Sequence, residues 1–317
     1  MATGENQTKE PTGSITATGD WMSNLPKGLQ NIPLWKLTIP GSHDSMSYDL
    51  DINSSIIEPD ILKHIGLRSV HKIVKEWATT QEVNIIQQLD AGVRFLDLRI
   101  ARKKDDSDPT RVYFYHGLYT VTDVRSVLKD INGWAVAHPT EILILALSHF
   151  ENFDNSLHDG LISSIKKIFG RKLVQKMPQQ KLTLKRCWDD KTNVMVTYGD
   201  RAEVQKHPEL WSNITYYYGD TMDPEVLKNK VYEDLTNATT DYFFICGLNL
   251  TLPDSLTALK YVAEYNSLRQ YSLKYLKQLV VWAAGVQQAH KRRLNIVASD
   301  FVTQDNFVST IIQLNTI

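Results

Sequence analysis

The run Ile142-Leu143-Ile144-Leu145-Ala146-Leu147 carries no polar residue until it ends at Ser148-His149. A half-exposed strand would alternate apolar and polar side chains. An unbroken short run fits a strand covered on both faces, as in a parallel sheet sandwiched by helices. Its flanks support this. Upstream, Val121, Val124, Val127, Leu128 and Ile131 are spaced for one helix face, and downstream so are Leu157, Leu161, Ile162, Ile165 and Phe169. Strand, helix, strand is the unit of a parallel α/β protein.

The same rhythm extends in both directions. Strand-like segments are expected at 35–39, 93–100, 111–115, 193–198, 242–246 and 294–298. Helical spacing follows over Val83, Ile86 and Leu89, after Asp223-Pro224, across 255–288, and over Phe307, Ile311, Ile312 and Leu314. The segment 35–39 is expected to stop at Pro40-Gly41 and then present His43 and Asp44. Polar residues recur at strand ends: His43, Arg99, His116, His149, Asp200 and Asp300. A barrel of β/α units builds its site from those ends. An open doubly wound sheet would instead carry a Gly-rich phosphate loop, and no G-x-G-x-x-G is present.

The chain has 317 residues with 42% hydrophobic and 22% charged content, enough for one full core. A formal charge of -1 excludes bulk attraction to nucleic acid. Two cysteines, Cys187 and Cys246, cannot build a disulfide framework and fit a reducing, cytoplasmic setting. Residues 1–19 are polar and rich in Gly, Thr and Ser, and are expected to be a disordered tail rather than a secretion signal. The remainder, 20–317, reads as one domain with no transmembrane segment. Nine basic residues between Lys166 and Lys191 form either an ordinary solvated face or a patch for peripheral contact with anionic lipid.

Each polar candidate has an ordinary reading. A histidine beside Gly-Ser is usually a loop residue. Asp97 and Arg99 share a strand face and suit a structural ion pair, and Asp300 suits the N-cap of the last helix. Together, at successive strand ends, two histidines, an arginine and orienting aspartates make a metal-free kit for cleaving a phosphodiester. No H-E-x-x-H motif or cysteine pair points to a metal, and Arg99 at the centre would repel one.

The motifs that carry this kit resemble the X domain of phosphatidylinositol-specific phospholipase C, most closely the small animal proteins made of little more than that domain. The resembling pieces are Asp20-Trp21-Met22, Ile39-Pro40-Gly41-Ser42-His43-Asp44, residues 92–99, Tyr115-His116-Gly117, His138-Pro139-Thr140-Glu141, residues 247–251 and residues 295–301. The resemblance implies a single distorted or incomplete TIM-like (β/α) barrel. It also implies cleavage of phosphatidylinositol-type lipids to diacylglycerol and an inositol cyclic phosphate. His43 matches the general base and Asp300 its orienting carboxylate. His116 matches the general acid and Asp44 its partner, the two neighbours diverging from an extended segment. Arg99 stands where the calcium-dependent members carry a metal ligand, so calcium-independent chemistry with no cofactor is expected, with Asp97 as partner to Arg99. Tyr198, Asn249 and His149 fall where the family contacts the headgroup. Two other readings remain: a headgroup-binding module with weak or no turnover, and a glycerophosphodiesterase.

Overall fold

The computed structural model describes residues 19–64, 66–238, 242–290 and 293–316. The expected disordered tail lies, but for Gly19, outside the described residues. Ten strands form one sheet: β1 (Ile39–Ser42), β2 (Phe95–Ala101), β3 (Tyr113–His116), β4 (Leu118–Asp123), β5 (Leu143–Glu151), β6 (Val194–Tyr198), β7 (Leu210–Ser212), β8 (Thr215–Tyr217), β9 (Phe244–Gly247) and β10 (Ile296–Ser299). Eight of them run in the order β7-β6-β5-β2-β1-β10-β9-β8, each neighbour parallel. The sheet curls, and its two edge strands, β7 and β8, are joined by residues 213–214 alone. Tyr216 on edge strand β8 comes within 6.2 Å of the His43 ring beyond β1. The β7 and β8 edges do not pair, so the result is the expected incomplete TIM-like barrel.

The departures are local. Residues 34–36 form a 3-10 turn, and β1 begins only at Ile39, running through the Pro40-Gly41 pair expected to end it. Both residues fit a central strand for specific reasons. Pro40 forfeits a donor, but its carbonyl still accepts from Arg94 N at 2.9 Å. A side chain on residue 41 would meet Phe95 at 2.9 Å and Ile296 at 3.1 Å, so glycine lets the barrel strands close up. The segment near 121 is the antiparallel hairpin strand β4. The helix starts after it, at Val124, capped by the Asp123 side chain on Ser126 N. The region 255–288 divides into three helices, Ala258–Glu264, Leu268–Ser272 and Leu276–His290.

The N-terminal end of the barrel is closed by the lead-in around Trp21. Arg94 and Glu141, both fully buried, pair at 2.8 to 2.9 Å. Arg94 also donates to the carbonyls of Gly19, Leu89 and Val93, and Glu141 accepts from Met22 N and Ser23 N. The guanidinium lies over Trp134 at 4.8 Å. Nearly every donor and acceptor is satisfied, which is what makes so buried a pair tolerable. Glu141→Ala should therefore lower unfolding free energy by about 3–5 kcal/mol, because it strands a buried guanidinium. Urea denaturation of the two proteins checks this.

Candidate active site

The β1–β10 ladder places the first pair of site residues. Ser42 aligns with Ser299, and His43 N donates to Ser299 O at 3.1 Å, so His43 and Asp300 follow side by side. Alternation sends both into the barrel, and His43 Nδ1 meets Asp300 Oδ1 at 2.8 Å. Continued extension would send Asp44 to the opposite face. Instead Asp44 adopts a left-handed backbone, φ 41°, which an aspartate tolerates better than most side chains. The turn brings its carboxylate into the barrel beside His43. Asp97, one strand over, braces it: its Oδ2 accepts from Asp44 N at 3.1 Å and its carbonyl from Ser45 N at 2.9 Å.

A guanidinium and two imidazoles converge on the Asp44 carboxylate. Arg99 Nε lies 2.9 Å from Oδ1. His43 Nε2 and His116 Nε2 lie 3.0 and 3.2 Å from Oδ2. Asp44 meets His116 as expected and also reaches His43, because the left-handed turn aims the carboxylate between the two rings. Asp97 favours the Arg99 charge, as expected of a partner, and in addition braces the Asp44 turn. His116 Nδ1 meets the Ala78 carbonyl at 2.7 Å. A carbonyl only accepts, so Nδ1 carries its proton and Nε2 faces the site. Asp300 does not cap the last helix; Asn306 precedes Phe307–Gln313.

The site is layered by charge. Asp44 and Asp300 lie on the floor, only 3% exposed, whereas the Arg99 and His116 side chains are 22% exposed at the mouth. An entering anion therefore meets Arg99 and His116 before the carboxylates. Burial opposes a charge on His43, but the carboxylates of Asp44 and Asp300 outweigh it and raise its pKa to about 10. Burial also opposes the Asp44 charge, and Arg99, His116 and His43 more than offset it, holding Asp44 well below the usual carboxylate range. Asp300 is pushed upward by burial, only partly countered by His43, and its Oδ2 has no hydrogen-bond partner among the described residues.

Ligand atoms of His43, Asp44 and Asp97 lie within 4.8 Å of one another, a spacing a metal ion would accept. The donor set argues against a resident divalent ion. Both Asp44 oxygens already face cationic groups, with a guanidinium at 2.9 Å.

The headgroup candidates separate. Asn249, 2% exposed, accepts from Tyr216 OH at 3.0 Å on the inner face. His149 has φ 52° and binds Ser148 Oγ through Nδ1 at 2.8 Å. Burial and the nearby Arg99 lower its pKa, favouring the neutral ring. Tyr198 does not join the site. It aligns with Leu147 on the outer face of the sheet, where its hydroxyl meets His158 Nδ1 at 2.7 Å. Sequence reading passed over Tyr216, because a three-residue strand offers no periodicity to place it.

The basic stretch 166–191 is also displaced from the site. Leu173 bridges to Val194 at the start of β6, and Trp188 Nε1 donates to Thr140 O ahead of β5. It thus lies at the strand N-terminal ends, opposite the mouth. Several of its charges are paired: Lys166 with Glu209 at 3.3 Å, Arg186 with Asp190 at 2.6 Å, and Lys185 with Asp189.

Residues 67–197 match the family model "Phosphatidylinositol-specific phospholipase C, X domain". The chain is 35% identical to human PI-PLC X domain-containing protein 1 over 308 residues, covering 94% of this chain and 93% of that one. With human PI-PLC X domain-containing protein 3 it shares 33% over 305 residues, 93% of each. Among solved structures, the phosphatidylinositol-specific phospholipase C of Listeria monocytogenes superposes with a TM-score of 0.64 at 22% identity, covering 95% of this chain and all of that one. A mutant of the Staphylococcus aureus enzyme gives 0.63 at 19% identity, covering 96% and 99%. These two likenesses support the barrel.

His43 should hold its ring proton at neutral pH in the free protein and release it near pH 10. Asp300→Asn should lower that midpoint by more than about 1 pH unit, measured by NMR titration of the ring. Because the folded value is raised, the associated stabilisation is complete below the unfolded value near 6.5 and is lost as pH climbs towards 10.

Proposed function

Because the chain belongs to the phosphatidylinositol-specific phospholipase C X-domain family, we propose that residues 20–317 form a phosphodiesterase that cleaves phosphatidylinositol-type lipids without a metal. The observation that carries this reading is the meeting of His43, His116 and Arg99 on the single carboxylate of Asp44.

Arg99 receives the non-bridging phosphate oxygens and does there the work a bound cation would do. His43 Nε2 takes the proton of the inositol 2-hydroxyl while Asp300 holds Nδ1–H and supports the imidazolium that forms. The 2-oxygen bonds to phosphorus, the bond from phosphorus to the glycerol oxygen breaks, and His116 Nε2–H protonates that oxygen as diacylglycerol leaves. One proton is taken up and one given back, so the products are diacylglycerol and an inositol cyclic phosphate. Water can open the cyclic phosphate by the reverse sequence, with His116 as base.

Asp44 now occupies the nitrogen the 2-hydroxyl needs. The substrate must displace Asp44 from His43, and Nε2 must give up its proton to solvent, before His43 can act as the base; Arg99 and His116 are then the remaining partners of Asp44. That observation also favours a second reading. With a proton on His43 and Asp44 against Nε2, the free site binds an anion without being ready to act as a base. A headgroup-binding module with little turnover would look the same.

A lipid substrate implies peripheral contact with a bilayer. No described helix is long and apolar enough to cross a membrane. The loops leaving β1 and β9, on the side of the mouth, expose Ile61, Leu67, Leu256 and Leu259, each at least 62% accessible. They suit that contact, on the cytoplasmic leaflet, better than the basic stretch at the opposite end.

Turnover of phosphatidylinositol vesicles should be unaffected by EDTA, and His43→Ala and His116→Ala should each lower it by about 100-fold or more. Product analysis for diacylglycerol and cyclic phosphate checks the chemistry. Loss of activity with EDTA would sink the metal-free mechanism. Vesicle binding without any diacylglycerol release by the wild-type chain would leave the binding-module reading.

A further inference from the structure

A short extended segment leaves the helix Arg68–Ala78 and holds His116 and the backbone that carries His43, Asp44 and Asp300. The Ala78 carbonyl holds His116 Nδ1 at 2.7 Å. Thr80 Oγ1 lies 2.9 Å from His43 O and 3.2 Å from Asp44 O. Thr80 O accepts from Phe301 N at 2.7 Å, just beyond Asp300. Gln81 Nε2 reaches His43 O at 2.9 Å and Ser299 O at 3.0 Å, and its Oε1 accepts from Val302 N at 3.3 Å. Thr80 is fully buried and Gln81 is 1% exposed.

The hydrogen count closes. Ser47 Oγ accepts from Thr80 N and Gln81 N at 2.8 and 3.0 Å, so its own proton is free for Thr80 Oγ1 at 2.8 Å. That leaves the Thr80 proton for the His43 and Asp44 carbonyls. Both Gln81 amide protons are used, one on each catalytic strand. The β1–β10 ladder ends at Ser42 and Ser299 with the rung from His43 N to Ser299 O. The Gln81 carboxamide sits where the next rung would be and clamps the two strand ends that carry His43 and Asp300.

We propose that residues 78–81 are a positioning strap, in which Gln81 and Thr80 fix the His43–Asp300 pair while the Ala78 carbonyl fixes His116. The inference rests on the acid–base roles proposed above and adds residues that do not touch the substrate. Its physical basis is that acid and base come from separate strands, β3 and β1, and no ladder rung joins those ends to one another. An uncorrected displacement of about 1 Å costs on the order of 100-fold in rate. A buried glutamine that served only to satisfy core carbonyls would affect stability and leave the chemistry of His43 untouched.

Gln81→Met keeps the length and removes the polar contacts. Thr80→Val keeps the shape and removes the hydroxyl, and Thr80→Ser restores it. In folded Gln81→Met, kcat on phosphatidylinositol vesicles should fall about 10- to 100-fold, with KM changed by less than about threefold. Loosening Asp300 from Nδ1 should also move the NMR titration of His43 to lower pH. The groups facing that ring are Asp44, Asp97, Arg99, His116, Asp300 and Tyr216, and none of them is altered. Thr80→Val should shift both readings the same way and Thr80→Ser should return them. If Gln81→Met does not fold, the Thr80 pair makes the same comparison. Folded variants with wild-type His43 titration, or a loss of kcat that matches the loss of folded protein, would overturn the strap. If the wild-type chain turns over no inositol lipid, the proposed activity fails, and the His43 titration still decides the strap.

Discussion

The arrangement depends on one buried carboxylate. Asp44 sits on the barrel floor with a guanidinium and two imidazoles within 3.2 Å of its oxygens. An isolated carboxylate there would be strongly destabilising. Arg99 and the protonated His43 offset that cost, and Asp44 in turn sets the spacing of the guanidinium and both imidazoles. Removing it would leave the charges of Arg99 and His43 crowded together in a poorly solvated space.

The carboxylate reaches this place through backbone geometry. His43 and Asp44 are adjacent, and on a regular strand one would point inward and one outward. The left-handed conformation of Asp44 turns both inward, and Asp97 stabilises the turn through main-chain hydrogen bonds. Strain at this position is therefore part of how the site is assembled. Asp97 acts on the backbone that aims Asp44, binding the main-chain N–H groups of Asp44 and Ser45.

The same charges create a tension. A floor of carboxylates holds the proton on His43, whereas a general base must be free to take one. An anionic phosphate engaging Arg99 and His116 would compete for the groups that now surround Asp44. The site is better matched to that anion than to a divalent ion, because the guanidinium already occupies one Asp44 oxygen.

The continuous apolar run at 142–147 and the helical spacings on either side were enough to read a parallel α/β barrel, since burial on both faces and on one helix stripe leaves direct marks in residue order. His43, His116 and Asp300 were legible because they fall at strand ends, where side chains are free to line a cavity, and Arg99 because alternation along β2 sets it on one face with Asp97. Pro40-Gly41 misled because proline and glycine usually break strands, and only the approach of Phe95 and Ile296 shows why this central strand needs the glycine. Tyr198 could not be separated from Tyr216 by sequence, as the face of a short strand depends on its neighbours' register. The bridging of Asp44, the bracing by Asp97 and the strap at 78–81 were likewise invisible. They consist of contacts between residues that the chain places far apart and of a single backbone angle. Residue order by itself determined the alternation of strands and helices along most of the chain and brought out several of the polar groups near strand ends. Tertiary structure decided which of those groups meet, because hydrogen-bond partners are fixed by register and turn geometry rather than by distance along the chain.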